Sequence, residues 1–242
     1  MSFGAGPREG AGDLPAGWSA WLVKFPTVKD DADVGRREHA WMAAAAGVEV
    51  PKCRILPLAG IGDAFAVRRF DRRPGGERVH MRSAAGALSC DLRTARADYE
   101  HLLRATLAVC GGDQAQVHAM FRLAAFNVAS VNEDDHLKNF AFLLDATGRW
   151  RLAPAFDLTY SPLAVGGRWT TVCDVGREIT RVHFLELASR TGIKPGAARR
   201  ILEDVTTATN EERRHLRAAG CDGPVSRAAG TAVAVATARL RG

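Results

Sequence analysis

Apolar and polar residues alternate along residues 18–26, WSAWLVKFP, ahead of a proline, and this two-residue period predicts a strand with Lys24 near its end. Residues 34–47 change to an Ala-rich run with Arg36, Arg37 and Glu38 on one side and a glycine at its end, the pattern of a capped helix. Residues 50–58 and 65–70 read as two more strands, which flank the turn Gly60-Ile61-Gly62-Asp63 with the spacing of a hairpin. The first block is predicted to run strand, helix, strand, strand.

The segment Asp71-Arg72-Arg73-Pro74-Gly75-Gly76 is polar and rich in breakers, and beyond it helical periodicity takes over at 93–109 and 114–130. We place a lobe boundary here, between 1–72 and 73–242. The helical part is predicted to be interrupted once, by a hairpin of 140–144 and 150–153 around the turn Asp145-Ala146-Thr147-Gly148. Helices resume near Arg181 and include 195–209 and 211–219, before an Ala/Val-rich tail carrying Arg239 and Arg241. The order predicts an α+β fold, with no internal repeat.

Composition narrows the class. With 242 residues, 47% hydrophobic and 25% charged, the chain can bury a substantial core. No apolar run reaches the roughly 18 residues needed to cross a bilayer, and residues 1–12 are Gly-rich and polar, so we expect a soluble, cytoplasmic protein with no membrane partner. Five scattered cysteines, never spaced as CxxC, point to neither a disulfide framework nor a zinc site. A net charge of +6 favours an acidic partner such as a nucleotide or nucleic acid, although most of these charges sit on any solvated surface.

The candidate chemistry lies between the second long helix and the hairpin, where Asn132-Glu133-Asp134-Asp135-His136-Leu137-Lys138-Asn139 sets seven polar side chains between apolar elements. Such a loop reads as a solvated Asx turn or as a binding site. The return strand of the hairpin ends at Ala155-Phe156-Asp157, which brings another carboxylate back beside the loop. Phosphoryl transfer from ATP needs a carboxylate to accept the proton of the attacking hydroxyl, and amide and carboxylate oxygens to hold magnesium. Asp134 and Asn139 have the five-residue offset of the Asp and Asn in a protein-kinase catalytic loop, and Asp157 follows in the order of the second metal-holding Asp.

With these pieces in place the sequence resembles the HipA-like serine/threonine kinases, whose signature is close to N-x-D-D-H-x-K-N followed by a hairpin and L-[AS]-P-A-[FY]-D. The second piece stands here as Leu152-Ala153-Pro154-Ala155-Phe156-Asp157. The resemblance implies a two-lobed kinase-like fold that uses ATP and Mg2+. It makes Asp134 the catalytic base and Asn139 and Asp157 the metal ligands. His136 would act as a general base or metal ligand or, as such a histidine more often does, pack and orient the loop, and Lys138 would steady the transferred phosphate or form a surface ion pair. Trp21-Leu22-Val23-Lys24-Phe25-Pro26 looks like the family's strand bearing the ATP-binding lysine. Glu38 would be the carboxylate that holds Lys24, or else a helix-face charge making i,i+4 pairs. Residues 65–72 look like the hinge, with backbone groups of about Arg68 to Phe70 on the adenine.

By the same resemblance the setting is a toxin–antitoxin pair. Its partners would be a DNA-binding antitoxin, DNA through it, and a protein substrate such as an aminoacyl-tRNA synthetase. The phosphate-covering loop is the weak match: only Gly4-Ala5-Gly6-Pro7-Arg8-Glu9-Gly10-Ala11-Gly12 offers itself, and Pro7 withdraws one N–H from any phosphate cradle. The family's N-terminal subdomain finds no counterpart, so a separate chain would supply it or the nucleotide would bind weakly. A silent pseudokinase that binds an antitoxin or DNA, and a small-molecule kinase, are the alternatives.

Overall fold

The computed structural model describes residues 14–15, 17–27, 30–31, 33–45, 47–59, 62–74, 76–89, 97–162 and 167–242. Strands β1 (Trp21–Lys24), β2 (Cys53–Leu58) and β3 (Gly62–Arg68) form an antiparallel sheet in the order β1-β3-β2, so the last strand in sequence lies in the middle. The register sets Phe65 of β3 opposite both Lys24 and Ile55. Helix α1 (Val34–Ala43) lies against β3 so closely that a Cβ added to Gly35 would stand 2.6 Å from the Asp63 carbonyl oxygen, a contact that only glycine permits. The helix ends before the 47 expected; Gly47 lies beyond it in the left-handed region, φ +76.

The junction after β3 is ordered by its charges. Asp71, 7% exposed, accepts from Arg69 at 2.8 and 2.5 Å and from Arg72 at 2.5 Å, and its carbonyl accepts from the Val79 N–H at 3.0 Å. The polar composition that marks a boundary in the sequence here closes a small loop back on itself.

Beyond it come β4 (Met81–Ser83), α2 (Ala84–Ala87), β5 (Ala97–Asp98), α3 (Tyr99–Val109), α4 (Gln114–Ala129), β6 (Ala141–Leu144), β7 (Trp150–Leu152), β8 (Thr170–Thr171), α5 (Arg181–Arg190), α6 (Pro195–Thr209), α7 (Glu212–Ala218) and α8 (Pro224–Arg241). Two expectations are corrected. The helix read from residue 93 starts at Tyr99, because Asp98 is its cap, accepting from the Glu100 N–H at 2.8 Å, while Ala97 and Asp98 pair in parallel with β8; residues 93–96 lie outside those described. The helical part is also interrupted more than once: β4 adds a third strand to the β6–β7 hairpin, in the order β4-β6-β7. Strands of two or three residues carry too little alternation to show in a sequence. Residues 4–12 and the Gly60-Ile61 half of the hairpin turn also fall outside the described residues.

One hydrophobic cluster joins the two parts, from Trp41 and Phe65 through Tyr99, Phe121 and Phe142 to Leu240. Helix α4 is apolar on nearly every side, as a helix surrounded by others must be, with Phe121, Ala124, Ala125 and Phe126 all fully buried. Strand β6 separates two apolar layers: Phe142 enters the main core, while Ala141 and Leu143 face a smaller cluster with Ala153, Phe70 and Phe156.

Candidate active site

Lys24 is the last residue of the edge strand β1, and α1 turns Glu38 toward it. The Lys24 ammonium donates to Glu38 Oε1 at 2.6 Å and also to Asp157 Oδ1. Asp157 is reached from the other end of the fold, 133 positions away in sequence, through the β6–β7 hairpin and the 153–157 segment. That segment is fixed where Ala155 N–H donates to Glu49 O at 2.7 Å and Phe156 stacks on Phe70 at 5.6 Å. Asp157 itself adopts φ +58, a left-handed conformation that Asp tolerates better than most residues. Burial pulls the Lys24 ammonium down, but Glu38 and Asp157 outweigh it and hold its pKa above the ordinary lysine value. Burial lifts the Glu38 carboxyl, even with the Lys24 ammonium beside it.

The loop 132–139 is held from inside. Asp135, fully buried, accepts from Tyr99 Oη at 2.7 Å, from Arg168 Nη2 at 2.7 Å and Nε at 3.1 Å, and from the Thr170 N–H at 3.1 Å. Asn127 donates to Tyr99 Oη at 3.0 Å, and Asn132 donates to Asn127 Oδ1 at 3.1 Å. Every member of this buried network has a partner, the condition under which polar groups rigidify an interior. Asp134, by contrast, is half exposed, with its backbone N–H on Ser161 Oγ at 3.2 Å and its carbonyl accepting from Asn139 Nδ2 at 2.9 Å. Burial raises the Asp134 carboxyl; His136 opposes this, and the charges of Asp157 and Asp135 add to it.

The remaining expected residues take various places. His136 Nε2 stands 3.8 Å from Asp134 Oδ1, its ring lies against Trp169 at 6.5 Å, and its Nδ1 is buried without a hydrogen-bond partner among the described residues. Lys138 is exposed at the basic end of a 3-10 turn, Leu137–Asn139. The Arg68 and Arg69 N–H groups are spent on Lys52 O and Ala20 O at 2.8 and 2.9 Å, because the central strand is bonded on both sides. Of the hinge-like segment, Phe70 packs on Phe156, the residue before Asp157. A cavity of about 490 Å3 between α4, α6 and β7, lined by His118, Arg122 and Arg200 among others, includes none of these residues.

The residues fit a magnesium ion in one specific respect. Asn139 gives its amide N–H to the Asp134 carbonyl, so its amide oxygen is not used in that bond and is the atom a cation would take, and Asp157 has a partly exposed carboxylate. Two protein oxygens completed by phosphates and water is the usual way this hard cation is held. Among the described residues no group of three His, Cys, Asp or Glu side chains could hold a metal alone. Arg168, Tyr99, Thr170 and Ser161 were not singled out by the sequence, since a buried pair partner carries no local signature.

The model of the HipA-like C-terminal domain matches residues 7–212. The chain belongs to that family. It is 28% identical over 188 residues to a Sinorhizobium fredii protein named "Putative kinase Y4dM", covering 71% of this chain and 43% of that protein. It is 25% identical over 146 residues to a Haemophilus influenzae protein named "Putative kinase", covering 54% and 43%. The chain thus spans less than half the length of either relative. Among solved structures it superposes on HipA of Shewanella oneidensis, determined with HipB and operator DNA, at a TM-score of 0.70 with 19% identity, over 91% of this chain and 58% of that one. The Helicobacter pylori proinflammatory kinase CtkA matches at 0.64 with 11% identity, over 94% and 90%. The fold of this HipA-like domain is therefore the kinase-like α+β fold, with a small sheet-containing part and a mostly helical part.

Proposed function

We propose that this HipA-like domain is a kinase that transfers the γ-phosphate of ATP to a Ser or Thr hydroxyl of a protein, with 1–72 as the smaller lobe and 73–242 as the larger. The observation that carries the reading is the meeting of Lys24, Glu38 and Asp157, drawn from three distant elements, beside a loop whose Asp134 is left half exposed. In this reading Lys24, held by Glu38, neutralises nucleotide phosphates, and Phe70 contacts the adenine. Asn139 and Asp157 hold magnesium, which on binding draws charge from the phosphate oxygens. Asp134 accepts the proton of the attacking hydroxyl, a task suited to a carboxyl raised above its ordinary value. His136 orients Asp134, and Lys138 faces the transferred group. The S. oneidensis HipA complex supports a DNA-binding antitoxin as partner, and with it a toxin role.

The test is magnesium-dependent ATP binding and γ-phosphate transfer by wild type, Asp134→Ala and Asp157→Ala. Asp134→Ala should keep nucleotide binding and lose transfer by about 10²- to 10⁴-fold, the usual worth of a positioned base. Asp157→Ala should weaken nucleotide binding in magnesium but not in its absence. A wild type that neither binds ATP nor transfers phosphate rules the reading out.

A further inference from the structure

The buried cation behind the loop has no role in the reading above. Arg168 is 3% exposed and its guanidinium is shared between two points of one short segment: Nη2 donates to Asn132 O at 3.0 Å and to Asp135 Oδ2 at 2.7 Å, and Nε donates to the same carboxylate oxygen at 3.1 Å. Residues 132 and 135 bracket Asp134. The segment begins at Val131, which is forced to φ +55, and Asp134's own backbone groups are held by Ser161 and Asn139. Arg168 is itself placed by its neighbours: Trp169 N–H donates to Glu133 O at 3.1 Å, and the Thr170 N–H and hydroxyl donate to Asp135 Oδ1 and O. The strand-like stretch 168–170 therefore lies along the loop and grips it at 132, 133 and 135.

We propose that Arg168 is a positioning residue for Asp134: one planar guanidinium fixes both ends of the turn that presents the base. This deepens the kinase reading and rests on it. If Arg168 served only to neutralise buried Asp135, any cation of similar reach would do. If it clamps the turn, the fork is required, because a guanidinium offers several fixed donors where an ammonium is a single point charge.

Arg168→Lys separates the two. Steady-state ATP hydrolysis and autophosphorylation of the full chain should show kcat reduced roughly 10- to 100-fold, as is usual when a support of an active-site group is removed. Affinity for a fluorescent ATP analogue should stay within about threefold, the signature of a loss confined to the transition state. A cavity of about 280 Å3 reaches Arg168, bounded also by Val131, Glu133 and Val235, so guanidinium ion added to Arg168→Ala should restore part of kcat. Wild-type kcat in Arg168→Lys overturns the clamp, as does a parallel loss of nucleotide affinity and melting temperature without guanidinium rescue. A wild type that neither binds nor hydrolyses ATP fails the kinase reading itself, and the proposal falls with it.

Discussion

At the scale of single residues, the site stores unfavourable charge. Two carboxylates, Asp157 and Glu38, share one ammonium, Asp134 feels the charge of Asp157, and burial raises both Asp134 and Glu38. A carboxyl whose folded pKa is raised binds more protons in the native state than in the unfolded one, so its contribution to stability declines as pH rises through the interval between the unfolded and folded values. For Asp134 that interval opens above its ordinary 3.8. Asp134→Asn, which cannot ionise, should therefore melt at or above the wild-type temperature at neutral pH, and the ionisation-dependent difference should fade as pH falls well below 3.8, where the carboxyl is protonated in folded and unfolded states alike. Melting curves across that range decide it; a wild type more stable than the variant at pH 7 contradicts the raised value. Lys24 makes the complementary case. Lys24→Met leaves Glu38 and Asp157 facing each other uncompensated, and should abolish magnesium-ATP binding, measured by titration with a fluorescent nucleotide.

At the scale of elements, the hairpin β6–β7 does most of the positioning, since it carries the chain from the loop at 139 to Asp157. Its strand β6 buries Phe142 completely on one face and Leu143 on the other. Phe142→Ala should cost about 3–5 kcal/mol through lost burial and the cavity left behind, read as a lowered urea midpoint. A loss below about 1 kcal/mol would mean that the hairpin is not anchored by this face. Helix α1 is braced similarly at its start: Asp33 accepts from the Gly223 N–H at 3.1 Å, and buried Arg37 pairs with Asp31 at 2.7 Å and reaches Ser226 at 3.5 Å. The helix that supplies Glu38 is thereby tied to the loop before α8. The strand, helix, strand, strand order of this region was legible because each element is long enough to show its period. The two- and three-residue strands β4, β5 and β8 were not, because pairing partners far along the chain create them.

At the scale of the molecule, one apolar cluster links the sheet-bearing part to the helices, with α8 contributing Ala229, Val233 and Leu240. Removing 223–242 should therefore lower the melting temperature of the whole chain in a single transition and weaken nucleotide binding through α1, followed by calorimetry and titration together. Two separate transitions in the full chain would argue against a shared core.

The sequence by itself marked the residues to which we assign the chemistry, and their order: the 132–139 loop, Asp157, and Lys24 on its strand, all within local patterns of spacing and period. It also left Glu38 open between a helix-face charge and a partner for Lys24. Only the tertiary structure decided between them, bringing Lys24, Glu38 and Asp157 together, choosing Asp135 rather than Asp134 for burial, and assigning Arg168 to the turn that presents Asp134. The physical reason is that periodicity reports which side of an element is buried. An ion pair between distant residues depends on where two elements cross, and no local pattern carries that.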